Sequence, residues 1–155
     1  MNYQLKDYEN VIRSVLDSGG EFQIYPRGTS MLPLLRQGRD WVTVVRPKKD
    51  LKARDIILYK RKNGAYVLHR ILDLSPDGYV LCGDNQDYME NGVQQDQIIG
   101  VVNGFGINGR RYSTDSRSMR VYEMLWCLMP LRKLYFRMFG HRYPEIRKKK
   151  DKKEV

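Results

Sequence analysis

From Leu5 the apolar residues Leu5, Tyr8, Ile12, Val15 and Leu16 recur three or four positions apart, and Gly19 and Gly20 follow. That spacing predicts one amphipathic helix ended by glycine, with 1–20 as a helical N-terminal segment. The period then changes. Short apolar or alternating runs rich in β-branched and aromatic residues occupy 21–25, 41–46, 56–60, 66–72, 79–81 and 98–102, and these predict strands. Turn residues separate them: Lys62, Asn63 and Gly64, then Ser75, Pro76, Asp77 and Gly78, then Asn108 and Gly109. Short strands at this spacing predict a mainly β, compact sandwich or barrel over 21–115. Neither a Gly-rich phosphate loop nor a βαβ alternation interrupts it.

Past Ser116 the helical period returns. In RVYEMLWCLMPLRKLYFRMFG the residues Val121, Met124, Leu125, Leu128, Leu131, Tyr135 and Met138 fall roughly on one side, and Pro130 is expected to kink or split the helix. This C-terminal amphipathic segment is taken as 116–140. Arg120, Arg132, Lys133 and Arg137 interrupt it too often for a membrane span. Basic residues beside Trp126, Tyr135 and Phe136 suit a helix lying in a membrane interface, and packing on the β core is an equal reading.

Charge then changes the picture at one end. Lys and Arg total 28 against 18 Asp and Glu, a net charge of +10, and the last stretch, 141–155, is a basic tail. A polybasic segment after an amphipathic helix predicts attraction to an anionic membrane surface through 120–153, with nucleic acid the lesser alternative because no recognition motif accompanies the charge. The start of the chain lacks the basic and apolar regions of a secretion signal, and no run approaches a spanning helix. A cytoplasmic or peripherally membrane-associated location is the expectation. Cys82 and Cys127 belong to no CxxC or Cys/His spacing, so neither a metal nor a cofactor is expected.

The candidate chemistry begins in RGTSMLPLL, 27–35, where Ser30 stands on a turn between strand-like segments. A serine hydroxyl needs a base to become a nucleophile near neutral pH. His69, in YVLHRIL, is the candidate: strand alternation puts Val67, His69 and Ile71 on one face. The other histidine, His141, sits in the basic tail and is a weak candidate. A carboxylate to orient the ring is sought in LCGDNQDYMEN, where Asp84 ranks first and Asp87 and Glu90 compete with it.

Taken in order, YPRGTSMLPLLRQGRDWVTVVRP, LKARDIILYKRKNGAYVLHRIL, YVLCGDNQ and IIGVV resemble the successive boxes of the signal peptidase I superfamily, over about 22–105. The resemblance implies a coiled-sheet catalytic domain like that of signal peptidases and self-cleaving repressors, with Ser30 as nucleophile. His followed by Arg resembles the archaeal and endoplasmic-reticulum branch, which implies His69 as general base. It further implies an oxyanion hole from backbone N–H groups around Gly28 and Ser30, with Thr29 as helper, and Met31 and Leu32 flooring a shallow pocket for small side chains. The substrate implied is an extended, leader-like or signal-like peptide bound as an added strand. Two departures stand out. Where the family commonly has Gly-Asp, this chain has Arg39-Asp40 and Arg54-Asp55, so those turns are expected to form without glycine. Gly28 stands where many signal peptidases carry a hydroxyl that holds the oxyanion. Two rival functions are a cytosolic self-processing protease and a non-catalytic module held to membrane or nucleic acid by its tail.

Overall fold

A computed structural model describes residues 8–47, 50–127 and 129–139. The proposed helix start at Leu5, Leu128, His141 and the basic tail lie outside the described residues. The N-terminal helix, α1 (Glu9–Asp17), buries Ile12 and Leu16 on one face, and the N–H groups of Gly19 and Gly20 close its last turn on Leu16 O and Val15 O.

All the predicted strands form, several of them longer than read: β1 (Glu21–Ile24), β2 (Trp41–Val45), β3 (Ile56–Lys60), β4 (Tyr66–Ser75), β5 (Gly78–Cys82), β6 (Glu90–Val93), β7 (Ile98–Ile107) and β8 (Arg110–Ser113). They make one antiparallel sheet in the order β1-β2-β7-β3-β4-β5-β6, with β8 hairpinned onto the far half of β7. β6 and β8 are additions to the sequence reading. The sequence ENGV looks like a turn and RRYS is polar, so neither carries a strand pattern. What defines them is a partner: Glu90 pairs with Leu81, and Arg110 with Ile107 across Asn108 and Gly109.

Register sorts the centre of the sheet into two faces. Ile57 pairs with His69, Tyr59 with Val67, Ile71 with Leu81 and Leu81 with Glu90, so these residues share one face and most of them form the smaller core. On the opposite face Ile56, Leu58 and Leu68 join Ile12, Leu16, Leu35, Val42, Val44 and Phe105 in the larger core. Each such fully buried aliphatic side chain stabilises the fold by roughly 1.5–3 kcal/mol.

The C-terminal segment splits into α2 (Arg117–Trp126) and α3 (Met129–Phe139). Pro130 is the second residue of α3, in the first turn, where a missing N–H costs nothing. Ser116 caps α2 by accepting from the Met119 N–H, and Met119 packs in the larger core. No described helix is long and apolar enough to cross a membrane.

The two turns expected to lack glycine differ. At Arg39-Asp40 the left-handed position falls one residue earlier, on Gly38 (φ 75), and a glycine supplies it after all. At Arg54-Asp55 the arginine itself is left-handed (φ 82).

Candidate active site

Ser30 follows β1 in a loop anchored by three buried side chains, Met31, Leu34 and Leu35. Tight turns hold its backbone: the Leu32 N–H donates to Thr29 O at 3.2 Å and the Leu35 N–H to Met31 O at 2.9 Å. The loop is also clamped from outside by the segment after β5. Asn85 donates its backbone N–H to Ser30 O at 2.8 Å and its side-chain Nδ2 to Thr29 O at 3.1 Å. Gly83 makes that approach feasible, since a Cβ there would stand 2.6 Å from Ser30 O. The Gly83-Asp84-Asn85 sequence is thus a bracket for the serine loop.

Ser30 and His69 line one cleft of about 1050 Å³, together with Gly28, Thr29, Met31, Tyr66, Asn85 and Gln86. His69 is 1% exposed. Its Nδ1 stands 3.3 Å from Glu90 Oε1 and 3.3 Å from the Tyr59 hydroxyl. Its Nε2 is buried and has no hydrogen-bond partner among the described residues. Arg61 grips the same carboxylate, Nε to Oε2 at 2.8 Å and Nη2 to Oε1. Burial lowers the pKa of His69 below 6.5 against the opposing pull of Glu90, so the ring is neutral at pH 7. Burial alone would raise that of Glu90, but hydrogen bonds with His69, Arg61 and Tyr59 outweigh it and keep the carboxylate ionised well below the usual range. A carboxylate at Nδ1 selects the tautomer with its proton there. Nε2 is therefore the basic nitrogen.

Asp84, ranked first from the sequence, lies elsewhere. It is fully buried and forks with Arg70, Nε to Oδ1 and Nη2 to Oδ2, both at 2.8 Å. The Tyr122 hydroxyl donates to its Oδ2 at 3.0 Å and the Trp126 indole N–H to its backbone O at 2.8 Å. The carboxylate at His69 belongs to Glu90, and Asp87 is exposed. Asp84 sits beside the serine loop through its neighbours Gly83 and Asn85, with its own side chain turned away to Arg70.

The candidate oxyanion donors divide too. The Gly28 N–H is occupied, donating to Gln37 Oε1 at 2.6 Å. The Ser30 N–H makes no hydrogen bond among the described residues. Thr29 contributes its carbonyl to the Asn85 clamp, and Met31, 3% exposed, is at once cleft lining and core. Gln37, Arg61 and Tyr59 were not read from the sequence as site residues. Tyr59 and Arg61 were accessible in principle, since alternation along β3 and its extension puts them on the His69 face.

No protein-family model matches the chain, and no curated protein matches it. The chemistry must be argued from this geometry: a hydroxyl and a neutral imidazole with an unpartnered nitrogen on one cleft, and an anion behind the ring.

Proposed function

We propose that the protein is a serine endopeptidase of the signal-peptidase type, with Ser30 as nucleophile, His69 as general base and Glu90 as the group that orients and charges the base. The observation that carries this reading is the environment of His69: Glu90 at Nδ1, and a buried Nε2 with no partner among the described residues, on the cleft that Ser30 lines. In this scheme His69 Nε2 takes the Ser30 Oγ proton as Oγ attacks the scissile carbonyl. The Ser30 N–H, which makes no hydrogen bond among the described residues, serves in this scheme as the backbone donor to the oxyanion. Collapse breaks the C–N bond, the imidazolium returns the proton to the leaving amine, and water then hydrolyses the acyl-enzyme by the same exchange. Glu90 stabilises the transient imidazolium without itself taking the proton.

The substrate in this reading is an extended peptide. β1 ends the strand order, so its outer edge has no partner among the described strands, and Phe22 to Arg27 run along the cleft. A peptide laid there gains main-chain hydrogen bonds as an added strand.

The test is labelling by a serine-directed acylating probe. Ser30→Ala is expected to abolish labelling, and His69→Ala to slow it by about 10³-fold or more. Native protein that labels no faster than either variant overturns the reading.

A further inference from the structure

The α2–α3 hairpin has two faces with different occupants. Its inner face is committed to the protein. Met119 enters the core, Tyr122 and Trp126 stack with centroids 5.7 Å apart and reach Asp84, Glu123 lies 3.3 Å from Arg70, and Trp126 meets Tyr135 edge-on at 4.9 Å. Arg132, nearly fully buried, donates to Cys82 Sγ and Gly83 O.

The outer face has no such occupant among the described residues. Val121, Met124 and Leu125 on α2 and Leu134 and Met138 on α3 are each 46–56% exposed, and they recur at the three- and four-residue spacing of one helical side. Of the remaining large exposed apolar residues, Tyr8 and Val11 lie at the start of α1, and Tyr25, Leu74 and Met89 are each on a different strand or loop. Half of the large apolar side chains exposed among the described residues therefore lie on one hairpin, a distribution that marks an interaction surface. Exposed arginines accompany them: Arg117, Arg120 and Arg137. The hairpin's one glutamate, Glu123, faces inward, and exposed Asp115, before the helix, lies 3.9 Å from Arg120.

From this charge complementarity we infer that the outer face of α2–α3 docks on an anionic lipid surface, lying in the headgroup layer with its apolar side chains below and its arginines on phosphate. Helices of 10 and 11 residues reach roughly 15–17 Å, about half of the hydrocarbon thickness, which fits lying in the interface and not crossing it. The inner face ties the hairpin to the Gly83-Asp84-Asn85 bracket, so docking fixes the position of the cleft relative to the lipid. The inference is independent of catalysis, and the Ser30→Ala protein serves equally well to test it.

The experiment is sedimentation of the full chain with phosphatidylglycerol–phosphatidylcholine vesicles and with phosphatidylcholine vesicles. Binding is expected only with the anionic lipid and is expected to weaken with salt. The double variant Met124→Glu, Leu125→Glu should bind about tenfold or more weakly, and Arg120→Glu several-fold more weakly. Both sites are exposed, so the thermal unfolding midpoint should stay near that of the native chain, separating lost docking from lost fold. Native-like binding by the folded double variant overturns the inference and leaves the basic tail as the lipid contact. Equal binding to both vesicle types also overturns it, as does self-association that the double variant abolishes without any vesicle binding.

Discussion

His69 and Arg70 are neighbours on β4, yet alternation sends them to opposite faces of the sheet, and each meets a carboxylate there. Arg70 meets Asp84 in a fully buried fork that also collects Tyr122, Glu123 and the carbonyl of Arg54. Every one of those groups adds a partner, so the charge is locked and the β sheet is fastened to α2. His69 meets Glu90, which is itself satisfied by Arg61, and the second ring nitrogen is left without a partner among the described residues. A buried polar atom with no hydrogen bond is costly, about 1–3 kcal/mol, and such costs are tolerated where the atom has another use. The difference between these two carboxylate contacts is therefore one of completeness: every polar side-chain atom of Arg70 and Asp84 has a hydrogen-bond partner, whereas His69 Nε2 has none among the described residues.

That comparison predicts opposite phenotypes for two carboxylate-to-amide changes. Asp84→Asn removes the carboxylate that forks Arg70 and leaves the buried guanidinium only the longer carboxylate contact with Glu123, and should cost about 3–5 kcal/mol in urea unfolding. Glu90→Gln leaves Arg61 able to reach water and should cost only about 1–2 kcal/mol, while slowing probe acylation by about 10²–10⁴-fold through the wrong tautomer and an unstabilised imidazolium. The contrast collapses if Glu90→Gln unfolds the protein and Asp84→Asn leaves it stable but inert.

The pH profile sharpens the same point. Burial holds His69 below 6.5, so the base form, and with it acylation, should persist on the acid side of 6.5 and fall only at lower pH. Glu90 pulls the value up, so Glu90→Gln should move the acid midpoint lower still while reducing the plateau. A midpoint at or above 6.5 in the native protein would contradict a buried base. For stability, the unfolded chain protonates His69 at about 6.5 and Glu90 and Glu9 at about 4.5, while the fold lowers the pKa of all three. Stability should accordingly fall as the pH drops below 6.5, and fall again below 4.5, where Glu90 and Glu9 are protonated in the unfolded chain first. Glu9, whose pKa Lys60, Tyr66 and Arg13 lower to about 2, ties α1 to the β3–β4 hairpin and belongs to this second phase.

How much of this could be read from the sequence depended on whether the deciding contact was local. β3 was legible residue for residue because its apolar run is continuous, and the sheet face of His69 followed from alternation alone. The choice between Asp84 and Glu90 was not legible. It depends on β6 pairing with β5 in a register that sets Glu90 opposite Leu81, and ENGV carries no strand signal of its own. Asp84 ranked first within the GDN stretch, and its neighbours Gly83 and Asn85 do touch the serine loop, but one residue's shift in direction takes its carboxylate to Arg70. The break before α3 was expected from Pro130, but which face of the hairpin packs on the core was not, since both faces contain apolar residues and the partner atoms come from the bracket after β5.

The smallest predicted effect isolates backbone from side chain on the Arg70 face. Arg54 holds φ 82, a conformation that strains a residue with a Cβ, and its own side chain is exposed. The strain persists because the backbone there is fully used: the Arg54 N–H donates to Ile71 O at 2.7 Å, the Ile71 N–H to Asp55 O at 2.8 Å, and Arg54 O accepts from Arg70 Nη1 at 3.0 Å. Arg54→Gly keeps every one of these bonds and removes the steric cost, partly offset by the greater freedom of glycine in the unfolded chain, so stability should rise by about 0.5–1 kcal/mol. Gly38→Ala, at φ 75 with open space around the new Cβ, should lower it by about 1 kcal/mol for the converse reason. Neither change touches His69 or Glu90, so acylation should be unaltered in both. A loss of acylation in Arg54→Gly would mean that the Arg70 anchor and the His69 base are coupled through β4, and that the two faces of the strand do not act independently.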